Sequence, residues 1–467
     1  MREDWIKTSI GELCIVNLGQ SPPSSSYNSK GEGLPFFQGK AEFTNLYPVA
    51  KKWCNEPKKT AKSGDILLSV RAPVGATNLA DQLCAIGRGL AAITYEYCTN
   101  YVLYYLNFSE SDLDSKGTGT TFKAVSGNTL KNFDIPLAPL PEQRAIVAKI
   151  EELFSELDKG EEDLKRAQEQ LKIYRQAVLK KAFEGELTKK WREQQTDLPT
   201  ADELKAAIND FNNSKTGQNI PSRLPPINLT DLGVLPNGWT WIEAHKICSS
   251  VRDGTHDTPK YIDKGVPLVT SKNLKSEGVD LVDVKFISKA DHLEISKRSA
   301  VDKGDLLFGM IGTIGNPVIV KKANAFSIKN VGLFKKNEAL LRPNFLWYFL
   351  SSAYYLQLLD QKELIRGTTQ KFVSLGGLRV SPLPIPSIIE QHQIVQEIES
   401  RLSVCDSIEE SIHESLDKSK ALRQSILKKA FEGTLLSEEE IAECKAAPDY
   451  EPASVLLERI KAEKKKN

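Results

Sequence analysis

Residues 142–187 read EQRAIVAKIEELFSELDKGEEDLKRAQEQLKIYRQAVLKKAFEGEL, and residues 390–435 read EQHQIVQEIESRLSVCDSIEESIHESLDKSKALRQSILKKAFEGTL. They align without a gap at an offset of 248, with 21 of 46 positions identical. A repeat of this quality outranks any short motif. Weaker echoes precede it in the same order: Gly33-x-Pro35-x4-Lys40 with Gly265-x-Pro267-x4-Lys272, and Gly64-Asp65-Ile66-Leu67 with Gly304-Asp305-Leu306-Leu307. Asn100 to Leu106 then mirrors Asn344 to Leu350, and Thr120-Thr121-x-Lys123-x-Val125-Ser126 mirrors Thr368-Thr369-x-Lys371-x-Val373-Ser374. The chain is two copies of one module, each a variable globular part followed by a well-matched helical part.

The helical parts carry heptads. In the first, Ile146, Leu153, Gly160, Ala167 and Tyr174 share one position, and Ile150, Leu157, Leu164, Leu171 and Val178 the other. In the second, Ile394, Ile398, Cys405, Ile408, Ile412, Leu422 and Ile426 match, while Arg401, Ser415 and Ser419 interrupt the stripe. Pro141 gives a start and Gly185 a stop. Such a helix spans about 66 Å at ~1.5 Å per residue. With one apolar stripe it needs a partner in water, and the sister helix is the nearest candidate. Small Gly160 and Ala167 are expected to let the two backbones approach closely.

The globular parts predict mixed α/β structure, with short β-rich runs at 65–70, 306–308 and 317–320, and core helices at 101–106 and 345–350. The expected division is a first globular domain at 1–139, a helical region at 140–190, a short helix and linker at 191–235, a second globular domain at 236–387, a helical region at 388–433, and an acidic tail at 434–467. The tail is expected to be a partner surface with a frayed end.

Hydrophobic residues at 40% and charged residues at 26% fit folded domains rather than disorder. Seven cysteines form no CxxC pair, no apolar run reaches the ~18 residues of a membrane span, and the opening Met1-Arg2-Glu3-Asp4-Trp5 is unlike a secretory signal. A soluble cytoplasmic protein is the expectation. The overall charge of +1 conceals an uneven division: residues 236–387 carry a net +7 and residues 388–467 a net −5. A polyanion is a plausible partner for the second globular part.

Catalytic signatures are missing from the sequence. There is no phosphate-binding Gly-x4-Gly-Lys-Ser/Thr run and no Asn/Asp-Pro-Pro-Tyr/Phe loop of an N6-adenine methyltransferase. The five histidines have no metal-ligand spacing. Asp263 with Asp283-Val284-Lys285 is a faint nuclease pattern, and a metal-dependent nuclease using Asp263, Asp283 and Lys285 is one alternative. A coiled-coil interaction protein without a DNA role is another.

Leu-Pro-Glu-Gln at 140–143, Lys-Ala-Phe-Glu-Gly at 181–185 and 429–433, and Gly-Thr-Thr-x-Lys-x-Val-Ser at 367–374 resemble the specificity subunits of type I restriction–modification systems. The resemblance runs along essentially the whole chain. It implies two globular target-recognition domains, each reading one half of a bipartite, asymmetric DNA site, with two antiparallel helices as spacer. It implies two docked adenine-methyltransferase subunits and, in some complexes, two ATP-dependent restriction subunits. S-adenosylmethionine, ATP and magnesium would then belong to those partners, and this chain would hold no cofactor or metal and have no catalytic residue of its own.

Half-sites on one face of DNA lie about one turn, ~34 Å, apart. Inserting or deleting a helical turn near Lys165 is therefore expected to change the unread gap in the target; an unaltered target would contradict the spacer. Polar residues in matching loops are the candidate DNA contacts: Gln38, Lys40, Arg71, Thr121 and Lys123 in the first module, and Ser271, Lys272, Asn273, Thr369, Gln370 and Lys371 in the second. Asn and Gln suit adenine edges, Arg and Lys guanine or phosphate. The matched pairs Lys40/Lys272 and Lys123/Lys371 are expected on phosphate, because readers of unlike sequences differ where they touch bases.

Overall fold

The computed structural model describes residues 2–119, 123–214, 224–322 and 326–465. It divides into two compact units, one of residues 1–165 with 413–467, the other of residues 166–412. The class is mixed α+β, with two long helices, Leu140–Phe183 and Ile388–Glu432.

The first unit is built on a four-stranded antiparallel sheet, in the order Ile15–Leu18, Leu90–Thr94, Ile66–Ser69, Thr77–Leu79. Beside it, Leu34–Phe37 pairs in parallel with Cys84–Ile86. The second unit repeats this plan: Ser250–Asp253, Val331–Lys335, Leu306–Gly309, Gly315–Ile319, with Val266–Val269 parallel to Ser327–Ile328. The expected aromatic helices are Thr99–Phe108 and Pro343–Ser351, each burying its apolar face in the core of its unit.

Within each unit the long helices meet antiparallel. In the first, Asp158 and Glu161 pair with Arg423, and Ser419 donates to Glu161 at 2.6 Å, so numbers rise along one helix as they fall along the other. In the second, Arg175 pairs with Asp406 at 2.7 Å and Glu409 at 2.9 Å, while Val178, Ala182 and Phe183 share a core with Ile394 and Ile398. The Ser419 hydroxyl, then Arg423, hold the Glu161 carboxyl below its ordinary range. A depressed carboxylate contributes stability above its unfolded pKa and loses it as pH falls, so this contact weakens in acid.

Burial along the seam is uneven. Ile146, Ile150, Ile394, Ile398, Cys405 and Ile412 are buried, and Leu153, Leu157, Leu164, Ala167, Leu171 and Ile426 half-buried. Gly160 corrects the expectation of close approach: it is exposed, and a Cβ built there would meet nothing within 4 Å. Tyr174, Ile408 and Leu422 are exposed as well. Ser419, which breaks the apolar stripe, is buried and faces the sister helix through Glu161.

Each helix starts from a buried Glu-Gln clamp. Trp5 Nε1 donates to Glu142 at 2.8 Å, and Trp239 Nε1 to Glu390 at 3.0 Å. Gln143 donates to the Ala138 carbonyl and Gln391 to that of Pro386. The other ends stop at Gly185 and Gly433, whose φ of +76° and +80° L side chains rarely adopt.

The acidic tail is not a frayed appendage. Helix Ala453–Lys464 buries Leu456, Leu457 and Ile460 in the core that holds Trp5, Ile10 and Leu13. Lys464 Nζ donates to the carbonyls of Gly11, Glu12 and Cys14, capping the short helix Ile10–Leu13. In the second unit Ala201–Ser214 buries Leu204 and Ile208 in the same manner. Only the expectation of a frayed end fails, at Lys464; the apolar spacing of the tail helix matches that of the helix at 201–214.

Candidate nucleic-acid interface

In each unit the loops at one end of the paired sheets converge on a rim. Gln38 follows the strand Leu34–Phe37, and the Phe37 carbonyl accepts from Gly87 N at 2.8 Å. Glycine is needed at 89, where a Cβ would meet Gln38 O at 2.3 Å, and Gly87 is closely packed, a Cβ there standing 3.1 Å from Gln38 Cα. Arg71 follows Ile66–Ser69 beside the same loop, since Val70 N donates to Gly89 O. Ala72 N then donates to Lys123 O at 2.9 Å. Gln38, Arg71, Arg88 and Lys123 are exposed around this rim, with Lys40 exposed at the start of the short helical turn Lys40–Glu42. Thr121 lies outside the described residues.

The second unit repeats the bonds. Lys329 N donates to Val269 O at 2.9 Å, and Gly312 N to Lys371 O at 3.0 Å. Ser271 lies against Gly309 and donates to Asn330 O at 3.4 Å. Thr369, Gln370 and Lys371 are exposed, Gln370 beside Gly312.

One expected base contact is corrected. Asn273 is 2% exposed; its Oδ1 accepts from Thr270 N and Oγ1, and its Nδ2 donates to Asp283 O. It closes a capping box on its own turn and is buried away from DNA. The matched lysines are also unequal. Lys123 is paired with Asp114 at 2.8 Å and Lys272 with Asp283 at 3.1 Å. No carboxylate within pairing distance of Lys40 or Lys371 is found among the described residues.

Sequence reading passed over several groups at the second rim. Asp253, 1% exposed, accepts from His256 Nε2 at 2.7 Å and from Arg298. Arg379 is buried close by, pushed down by that burial and by Arg252. The pattern Asp-x-x-His at a strand end was the available signal. The faint nuclease set gains nothing: Asp263, Asp283 and Lys285 are all exposed, and Asp283 turns to Lys272. Among the described residues no group of three or more His, Cys, Asp and Glu could hold a metal ion. No helix there is long and apolar enough to cross a membrane.

Residues 2–166 and 236–418 match the family described as type I restriction modification DNA specificity domain, twice over and across most of the chain. The chain belongs to that family. As a type I specificity protein it is 26% identical to the type I restriction enzyme EcoBI specificity subunit of Escherichia coli, over 99% of this chain and 93% of that one. The EcoDI specificity subunit of Escherichia coli is 23% identical over 99% of this chain and 95% of its own length. The fold is similar to that of the HsdS subunit from Thermoanaerobacter tengcongensis, with a TM-score of 0.52 at 19% identity, covering 93% and 98% of the two chains. The two family matches fall one on each side of the linker, as the internal repeat requires.

Proposed function

We propose that this specificity subunit reads a bipartite, asymmetric DNA site, one half with each rim, and itself catalyses no reaction. The observation that carries this reading is the repeated rim: the same backbone bonds hold Gly87 and Lys329, Ala72 and Gly312, under unlike side chains. One backbone plan with two side-chain sets suits two short, different sequences. The readers are assigned to residues 1–139 and 236–387, the first completed by the tail helix. Methylation of adenine and any ATP-driven cleavage are assigned to partner subunits, which would hold S-adenosylmethionine, ATP and magnesium. Docking of two methyltransferase subunits on the helical regions and a cytoplasmic location belong to the same proposal.

Lys371→Ala tests the phosphate assignment. Titrating duplex DNA into the assembled complex is expected to show weaker binding to all sequences, with the slope of log K against log salt reduced by about one. Lys272→Ala is expected to do less, because Asp283 already neutralises that ammonium. A loss confined to one base would move Lys371 to base reading instead.

A further inference from the structure

We propose that His256 and Asn330, held in place by buried Asp253, read bases in the half-site of the second module, and that Ser21 and Arg88 occupy the same places in the first. This deepens the reading of the chain as a bipartite DNA reader and rests on it.

The equivalence comes from the backbone. In the first module Gly19 N donates to Leu90 O and Gln20 N to Ile86 O; in the second Gly254 N donates to Val331 O and Thr255 N to Ile328 O. Both glycines are packed against the neighbouring strand end, where a Cβ would stand 2.1 Å from Gly87 O or 2.2 Å from Ile328 O. The next positions are therefore Ser21 and His256. Each faces the loop between the paired strands: Ser21 Oγ accepts from Arg88 N at 3.2 Å, and His256 Nδ1 lies 2.9 Å from Asn330 Oδ1.

At these places the modules differ. Lysine stands in both at 40/272 and at 123/371, whereas serine and arginine are replaced by histidine and asparagine here. Phosphates are alike in both half-sites and bases are not, so shared cations suit the backbone and unlike side chains suit base edges. Asparagine matches adenine in two hydrogen bonds, arginine matches guanine, and an imidazole whose Nε2 donates to Asp253 can exchange Asn330 for a base amino group at Nδ1, adenine N6 or cytosine N4.

Asp253 is the second observation. A buried carboxylate is costly unless paired. The twin of Asp253 is Leu18, 39% exposed, so the fold does not require an acid there. The carboxylate instead receives His256 Nε2 and Arg298, whose side chains are 59% and 54% exposed at the rim. Charge-assisted bonds of this kind fix ring orientation. Asn330, at φ +54°, holds a backbone form that asparagine tolerates better than most residues. Asp253 is thus a positioning residue, and His256 and Asn330 the groups that touch DNA.

The test is selection of bound duplexes from a random library by the full chain assembled with its methyltransferase subunits. His256→Ala and Asn330→Ala are each expected to relax one or more positions of a single half-site at least tenfold, leaving the other half intact as an internal control for folding. His256→Gln is expected to alter preference rather than abolish binding. Asp253→Asn should relax the same positions as His256→Ala, and the double variant no further than either alone. Arg88→Ala should relax the opposite half. Unchanged half-sites in the His256 and Asn330 variants, or a loss uniform over all sequences, would overturn the inference while leaving bipartite reading in place. A wild-type complex that selects no interrupted sequence would overturn bipartite reading itself.

Discussion

Glu390→Ala is expected to destabilise the second unit by about 3–5 kcal/mol, the range for breaking a buried ion pair at one partner. Oε1 of Glu390 accepts from Thr188 Oγ1 and Arg192 Nε, both at 2.8 Å, and Oε2 from Trp239. Arg192 also donates to Gly185 O at 2.7 Å, tying the stop of one long helix to the start of the other. Alanine would leave the Arg192 guanidinium, 13% exposed, without its carboxylate. The twin site behaves differently. Glu142 keeps only Trp5, and its buried Oε1 has no hydrogen-bond partner among the described residues. Leu436 and Glu440 stand where Thr188 and Arg192 would be. Glu142→Gln retains an acceptor for Trp5 and removes a buried charge, so it is expected to change stability by less than about 1 kcal/mol in either direction. Hydrogen exchange in residues 178–192 and 140–150 of the full chain reads the two sites separately. Equal losses at both would contradict this asymmetry.

The second large effect is at the tail. Leu456→Ala is expected to cost about 2–5 kcal/mol, as for leucines deleted from closed cores. Leu456 is 0% exposed in the cluster containing Trp5, Ile10, Leu13 and Phe431. Removing residues 447–467 would uncover that cluster and leave three carbonyls at the end of Ile10–Leu13 without Lys464. The truncated chain is expected to lose hydrogen-exchange protection throughout residues 5–15 and 130–150, and to keep it in residues 240–400. Undiminished protection in the first unit would mean that the helix is dispensable.

Much of this architecture is legible in the sequence because repetition is a global signal that local ambiguity cannot erase. The Pro141 start, the Gly185 stop and the apolar stripe each follow from spacing and local backbone chemistry. What failed depended on where an element points. Gly160 falls on a heptad position, yet its side of the helix is open. Ser419 looks like a break in the seam, yet its hydroxyl serves Glu161 across it. Asn273 has the composition of a base reader, but Thr270 three residues earlier claims its amide. His256 looked isolated because Asn330 beside it, and Arg298 on its neighbour Asp253, are distant in sequence and are brought together only by the fold. The frayed end expected of the tail fails because Leu456 and Ile460, few among acidic and basic neighbours, share one buried face.

The most direct test of the central claim exchanges residues 236–387 for the corresponding part of another member of the family, in the chain assembled with its methyltransferase subunits, and determines the DNA sequence bound before and after. The expected result is an interrupted target in which one half changes and the other half remains. A target that changes in both halves, or in neither, would contradict two independent readers in one chain.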